Sequence, residues 1–215
     1  MTIQDVLVLI GLSLFLGWVS RKGQRQNLLL LASSLVFYWL QPSLPLRYLS
    51  FWLPTATFIL VILSWVCTSS YQQRWKRETF QTAGFVTLII LLIGLTRYAG
   101  LGSLFGELYP PRLLRIMIVL VFTLGLMGIL SRKETFSKAY LWGLFSFFLI
   151  LFVILKTPYF AQIASRMWRF VVDQAPALAS ADDIKWLGFS YLAFRILHTI
   201  RDRIKGRLSE SSLKE

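Results

Sequence analysis

The chain has 215 residues, of which 56% are hydrophobic and 15% are charged, and its formal net charge at pH 7 is +13. Soluble domains carry about 25% charged residues; the charges here are bunched and leave uncharged runs of membrane-spanning length, so the composition excludes a soluble domain and predicts a polytopic helical membrane protein. A single Cys and a single His exclude a disulfide framework and a multi-ligand metal centre of the usual kind.

Seven apolar runs follow one another along the chain and are predicted to be membrane-spanning helices. They cover residues 3–19, 28–40, 49–67, 82–98, 113–130, 139–155 and 186–203. The first run does not resemble a cleaved signal peptide, because residues 1–5 carry an acid and no basic residue, so we expect it to remain with its N-terminus outside. The second run is short for a crossing and is interpreted as a short or strongly packed span.

A different period, typical of an amphipathic helix, covers residues 159–173. The two faces of this helix would carry Phe160, Ile163, Ala164, Met167 and Val171 on one side and Gln162, Ser165, Arg166, Arg169 and Asp173 on the other. Beside so many spans, this pattern predicts a helix lying in the membrane interface. The alternative is a buried helix with one side in a polar cavity. Ser180 or Asp182 is the predicted N-cap of the last helix.

Basic residues fall in alternate loops and predict the orientation. The basic groups are Arg21, Lys22 and Arg25, then Arg74, Lys76 and Arg77, then Arg132, Lys133 and Lys138, and finally the tail from Arg201 to Lys214. Such clusters stay in the cytoplasm, which places the N-terminus outside and the C-terminus in the cytoplasm and argues against nucleic acid as a partner. The predicted fold is all-α: a polytopic transmembrane bundle of about seven spans plus one interfacial amphipathic helix. We expect one transmembrane domain over residues 1–205 and a mobile cytoplasmic tail over residues 206–215.

The last run combines an apolar composition with charged residues at helical spacing. Arg195, His198 and Asp202 would share one face of the helix, with Arg201 close beside it. Charges inside a span are costly and indicate a functional site by default. Three interpretations of His198 remain open. It bonds Asp202 one turn further on and fixes the helix end, it lines a polar cavity for a substrate or head group, or it is a general base.

Three segments resemble blocks of the membrane-bound O-acyltransferase (MBOAT) family. The sequence L-G-F-S-Y-L-A-F-R-I-L-H-T-I-R-D at residues 187–202 is similar to the family's L-G-I-S-F-x-x-F-x-x-x-x-Y-x-x-D block. The matching positions are Leu187, Gly188, Ser190, Phe194 and Asp202. Leu155 to Tyr159 is similar to the family's F-K-Y-x-N-F stretch, and Leu28 to Pro42 to its L-L-L-A-S-L-x-F-Y-x-W block.

The resemblance implies transfer of an acyl group from a cytoplasmic thioester donor, acyl-CoA or acyl carrier protein, to a hydroxyl of a lipid, sugar polymer or protein. In the family the catalytic histidine lies downstream of this block, so His198 is not its counterpart and no catalytic residue is assigned. We therefore expect an N-terminal, non-catalytic part of such an enzyme, in contact with membrane lipid and with a second polypeptide that carries the catalytic half.

The last run is then expected to form a wall of the acyl-transfer tunnel. The residues assigned to this lining are Gly188, Ser190, Phe194, Arg195, His198 and Asp202. Gly188 and Ser190 are expected to allow close helix packing. No cofactor or metal is expected to be bound by these residues. The alternative function is a non-catalytic integral membrane scaffold or assembly protein, and a transporter subunit is a third.

Overall fold

A computed structural model describes residues 10–11, 17, 25–99, 108–208 and 213, and the described part of the chain is helical with connecting turns and no strand. Its helices are α1 Arg25–Trp39, α2 Leu49–Thr68, α3 Tyr71–Arg74, α4 Arg77–Leu95, α5 Leu113–Ser131, α6 Lys138–Lys156, α7 Pro158–Val171 and α8 Phe189–Ile204. Two 3₁₀ turns, Pro176–Leu178 and Ala181–Asp183, lie between α7 and α8. The predicted all-α class is confirmed for these residues.

Four of the described helices, α2, α4, α5 and α6, are long and apolar enough to cross a membrane. Each has 19 or 20 residues, which at 1.5 Å per residue approaches the roughly 30 Å thickness of the hydrocarbon core. The predicted count of seven spans is not confirmed. Most of the first predicted span and most of the predicted tail lie outside the described residues. Within the described residues, helices α1 and α8 have 15 and 16 residues, fewer than the about 20 that a full crossing typically uses.

The boundary between α6 and α7 is set by Thr157 and Pro158. Helix α6 begins with a cap, because the Ser137 hydroxyl accepts a hydrogen bond from the Tyr140 N–H at 3.3 Å, and it ends at Lys156. Pro158 is the first residue of α7, where its missing N–H costs nothing and its ring blocks continuation of the preceding helix. The chain therefore turns here and begins a separate helix.

Helix α2 lies between two apolar clusters. One cluster joins it to α1, α4 and α5 and contains Tyr38, Phe51, Val86, Ile89, Ile90, Ile93, Ile116 and Leu120. The other joins it to α6 and α8 and contains Leu60, Cys67, Leu141, Leu144, Phe148, Phe189, Ala193, Ile196 and Ile200. Within the first, the buried hydroxyls of Tyr38 and Thr55 lie 2.7 Å apart, so the polar tip of the tyrosine is satisfied inside the apolar cluster. The central position of α2 explains why it is the most buried of the four long helices.

The connecting segments gather at the two ends of α2. At its C-terminal end, Arg74 donates to the Lys133 carbonyl at 2.6 Å and Trp75 donates to the Ser131 carbonyl at 3.3 Å. At its N-terminal end, the Arg47 N–H donates to Gln174 at 3.0 Å. Two of the basic clusters that the sequence assigns to one side of the membrane therefore do lie at one end of the bundle.

The outer surface of the bundle is apolar. Five large side chains of α5 are 60–72% exposed: Leu114, Ile118, Val121, Phe122 and Ile129. A soluble protein rarely exposes so continuous an apolar strip, whereas a membrane-spanning helix presents such a strip to lipid. The exposed side chains and the helix lengths together indicate an integral membrane protein.

Candidate functional site

The last helix, α8, begins at a glycine in a left-handed conformation. Gly188 has φ +68° and stands immediately before the first helical residue, and its carbonyl accepts the first helical hydrogen bond, from Leu192 at 3.0 Å. A Cβ at this position would lie 3.8 Å from Phe37 Cε2, which is an ordinary contact. The backbone conformation therefore favours glycine here, although Tyr48 adopts the same conformation before α2, and the space around Gly188 shows no close helix packing that would need a glycine. Ser180, a predicted cap of this helix, instead caps the turn Ala181–Asp183, in which the other predicted cap, Asp182, lies.

One face of α8 is buried against the bundle. Phe189, Ala193, Ile196 and Ile200 are all buried, and their spacing of four, three and four residues puts them on one side of a helix. They belong to the cluster that joins α8 to α2 and α6. Ser190 is half-buried, and Phe194, although exposed, places its ring 5.4 Å from that of Phe152 on α6.

The opposite face of α8 is polar and points away from the described bundle. It carries Tyr191, Arg195, His198 and Asp202, which repeat the same spacing half a turn away from the buried face. Arg195 and His198 are exposed and Asp202 is half-buried. Arg195 lies over the ring of Tyr191 at 5.7 Å and contacts its hydroxyl at 3.4 Å. We call these four residues the polar face of α8.

The structure does not join His198 to Asp202. Within residues 108–208, the hydrogen bonds and ion pairs include none between these two side chains. The structure therefore lacks the bond between His198 and Asp202 that one of the three interpretations of His198 expects. An exposed imidazole one turn from Arg195 instead contributes to a surface that another molecule can contact.

A second polar cluster lies on the side of α7 that faces the bundle. The polar residues Ser165 and Arg169 are buried, whereas Met167 and Phe170 on the apolar side are exposed. The burial of the polar face is partial, because Gln162, Arg166 and Asp173 on that side are exposed. The side of α7 that packs on the bundle therefore combines Ala161 with Ser165 and Arg169, and most of the apolar side is exposed.

The buried polar side of α7 is neutralised by Asp183. One carboxylate oxygen, Oδ2, accepts hydrogen bonds from Ser165 Oγ at 2.5 Å, from Arg169 Nε at 3.1 Å and Nη2 at 2.9 Å, and from the Ser180 N–H at 3.1 Å. Burial alone raises the pKa of the Asp183 carboxyl, but these donors outweigh burial and hold the pKa below its usual range. This ion pair was not predicted from the sequence. Its available signal was the spacing of Ser180 and Asp183, which is that of a capping box.

Arg74 is buried at the other end of the bundle without a carboxylate partner among the described residues. Its guanidinium donates to the carbonyls of Ser69 at 2.7 Å and Lys133 at 2.6 Å, and it lies 4.9 Å above the Phe136 ring. Burial lowers the pKa of Arg74, and the nearby Arg203 lowers it further. Ile200, near the basic end of α8, belongs to the same buried cluster as Cys67 at the C-terminal end of α2, so the basic end of α8 lies at the same end of the bundle as Arg74. This cluster joins connecting segments, and its hydrogen bonds are all to backbone.

The three segments that carry the family resemblance lie close together. Gln41, at the end of the first segment, donates to the Lys185 carbonyl just before α8 at 2.9 Å. Leu155, at the start of the second segment, packs against the buried cluster that contains Ile196 and Ile200 of α8. The first segment also adjoins the third directly, because Phe37 Cε2 would lie 3.8 Å from a Cβ on Gly188, although more than 100 residues separate the two in the sequence.

Comparison with known proteins does not identify a family or a function for this chain. The chain matches no family model, no curated protein and no solved structure at a significant level. No group of three or more His, Cys, Asp or Glu side chains that could hold a metal ion occurs among the described residues.

Proposed function

We propose that this chain is the N-terminal, non-catalytic part of an MBOAT-like acyltransferase and that the polar face of α8 contacts the polypeptide that carries the catalytic residues. The observation that carries the proposal is the exposure of Arg195 and His198 on a helix packed against membrane-spanning helices. Charged and polar groups left against lipid are costly. Another protein surface, or a polar cavity that it encloses, would remove that cost.

The resemblance supplies the reaction class. An acyl group would pass from a thioester donor, acyl-CoA or acyl carrier protein, to a hydroxyl of the acceptor, so that the thioester C–S bond breaks, an ester C–O bond forms and a free thiol leaves. The catalytic histidine would come from the second polypeptide. In this chain α8 would form one wall of the tunnel, lined by Gly188, Ser190, Phe194, Arg195, His198 and Asp202. The juxtaposition of the three resembling segments supports a shared site.

The proposed function includes an orientation of the chain in the membrane. The basic clusters around Arg74 and Lys133 lie at one end of the bundle, and basic clusters in the loops of membrane proteins favour the cytoplasm. The C-terminus of α8 would then be cytoplasmic, on the side of the thioester donor, and the N-terminus of the chain would be outside. Helix α7 would lie in the outer interface.

The test combines site-specific crosslinking with an acyl-transfer assay in native membranes. A photoreactive residue replaces His198 in one variant and Ile129, on the exposed strip of α5, in the matched control. We expect a polypeptide crosslink at position 198 and lipid crosslinks at position 129. Lipid crosslinks at both positions would contradict the proposal, because the polar face would then have no protein partner.

The acyl-transfer assay distinguishes the proposed acyltransferase function from the alternative function as a scaffold. Membranes that contain the tagged chain and its crosslinked partner are incubated with labelled acyl thioester, and esterified acceptor is measured. We expect Arg195→Ala with His198→Ala to keep the protein level and lower transfer at least tenfold, whereas the exposed Lys205→Ala control retains transfer. A stable complex with no acyl transfer, before or after substitution, would support the integral membrane scaffold instead.

A further inference from the structure

A groove of about 670 Å³ lies between α2, α5 and α7 on the outer surface of the bundle. Its walls include Trp52 and Ala56 from α2, Ile118 from α5, and Trp168 and Val171 from α7. This volume is in the range of about 300–1,000 Å³ that is typical of small-molecule sites. The groove does not contact the polar face of α8, so binding in it is independent of the proposed acyltransferase function.

The lining of the groove carries one charged side chain, Arg115. It is the third residue of α5 and is exposed, and its guanidinium forms no ion pair or side-chain hydrogen bond with the other described residues. An arginine one turn inside a spanning helix lies near head-group depth, where its long side chain can reach the interface. The other lining residues named above are apolar, so the groove presents one cation at the edge of an apolar cleft.

The position of Arg115 on its helix increases the positive potential there. The N-terminus of a helix carries a partial positive charge, which favours an acidic residue in the first turn. The first turn of α5 has no acidic residue, and Arg112 stands directly before it. Arg115 and the N-terminus of α5 thus both add positive potential at the groove, whose lining includes no carboxylate, so an anion bound here would lower the electrostatic energy.

Apolar contact alone does not select an occupant in a membrane. Lipid chains are as apolar as the side chains that line the groove, so moving a chain from the bilayer into the groove gains little from the hydrophobic effect. Selection must come from the head group. A zwitterionic head group brings its own cation close to Arg115, whereas an anionic one does not.

We propose that the α2–α5–α7 groove binds one molecule of an anionic phospholipid, with an acyl chain along Trp52, Ala56 and Ile118 and the phosphate at Arg115. Indole rings favour the bilayer interface, where one end is apolar and the other is wet, and Trp52 is the fourth residue of the candidate span α2. Trp168 is held in place by a hydrogen bond of 3.1 Å from Nε1 to the Arg47 carbonyl. The groove is therefore formed by side chains that the fold already positions.

The experiment measures lipid retention by native mass spectrometry. The full chain in a neutral detergent is titrated with phosphatidylglycerol or phosphatidylcholine of the same acyl chains. We expect one phosphatidylglycerol per chain to be retained in preference to phosphatidylcholine. Arg115→Ala should lower that preference about fivefold, the factor associated with one cation near an anionic lipid. Ala56→Phe, which fills the groove without changing charge, should lower the occupancy of both lipids.

Arg166→Ala is the matched control, since Arg166 is an exposed arginine on α7 that does not line the groove. It should leave the preference for phosphatidylglycerol unchanged. Equal retention of the two lipids by the unmodified chain would overturn the proposal. So would a preference that survives both Arg115→Ala and Ala56→Phe, because the anionic lipid would then bind elsewhere. A second copy of the chain in the groove would appear as a dimer that Ala56→Phe abolishes, which also contradicts a lipid occupant.

Discussion

Arg169 and Asp183 form a buried ion pair in which Nε and Nη2 of the guanidinium lie 3.1 and 2.9 Å from the same carboxylate oxygen. Both side chains are 7% exposed. The pair joins the inner side of α7 to the segment that leads into α8, so it helps to hold α7 against the bundle. Its apolar outer side remains available to lipid.

Removing one member of this pair should destabilise the protein strongly. Arg169→Met leaves the Asp183 carboxylate buried without its cation, which typically costs about 3–5 kcal/mol. For a chain of this size that corresponds to a fall of roughly 6–20 °C in the thermal midpoint, measured in detergent by tryptophan fluorescence. Asp182→Asn, at the exposed neighbouring acid, should shift the midpoint by less than a tenth of that range.

The same carboxylate predicts the sign of a pH effect. The pKa of folded Asp183 is below its usual range, so the stabilisation by the ionised form is fully present above the unfolded pKa, about 3.9. It is lost as the pH falls through the lower folded pKa. The difference in thermal midpoint between the unmodified chain and Asp183→Asn should therefore be constant from pH 7 to 5 and shrink below about pH 4. A difference that stays constant down to pH 3 would contradict this assignment.

Local sequence patterns predicted the helices well. The apolar run at residues 113–130 became α5, Leu113–Ser131, and the run at residues 139–155 became α6, Lys138–Lys156. The amphipathic period at residues 159–173 became α7, Pro158–Val171, although the residues assigned to its polar side divide into buried ones, such as Arg169, and exposed ones, such as Arg166. These features depend on neighbouring residues and on helix periodicity, which the sequence contains directly.

Long-range relationships were not predictable in the same way. The pattern of α7 did not reveal that part of its polar face is buried, because that depends on Asp183 approaching from beyond α7. The role of Gly188 depends on how the chain enters α8, and the partners of Arg74 lie on segments up to 59 residues away. The spacing of Arg195 and His198 predicted a shared face, but not that this face would point away from the bundle.

Gly188→Ala should weaken the start of α8. An L-residue in the left-handed conformation costs about 1–2 kcal/mol relative to glycine, while the space for a methyl group is sufficient. We expect a lower thermal midpoint and faster hydrogen exchange at the first turn of α8. Gly143→Ala is the control, because Gly143 lies inside α6 with open space around it, and alanine there should be neutral or stabilising. Equal effects of the two substitutions would disprove the conformational explanation.

Gly94 permits the contact between α4 and α5. A Cβ at this position would lie 2.6 Å from Ile116 Cδ1, and Ile116 is fully buried. Gly94→Ala should therefore cost about 1–3 kcal/mol through overpacking. Adding Ile116→Val removes the clashing methyl group and should restore part of the stability, so that the double variant is more stable than the sum of the single changes predicts. Gly128→Ala, on the open side of α5, should show no such loss.

Arg74 should be required for the packing of the basic end of the bundle. Its guanidinium bonds the carbonyls of Ser69 and Lys133, which close the ends of two spanning helices where a cation is favourable. Hydrogen bonds from a charged group contribute about 1.5–3 kcal/mol each, so Arg74→Met should lower the thermal midpoint clearly. Arg74→Lys should lower the thermal midpoint less than Arg74→Met does, but still below that of the unmodified chain, because a single ammonium cannot reproduce the geometry of the planar guanidinium.

The control for this prediction is Arg77→Met, since Arg77 is an exposed arginine three residues along the chain. It removes the same charge from the same end of the bundle without removing a buried hydrogen bond. A loss of stability equal to that of Arg74→Met would mean that net charge near the membrane surface matters more than the two carbonyl contacts. A selective loss at Arg74, with proteolysis appearing first between α5 and α6, would show that the guanidinium holds these connecting segments together.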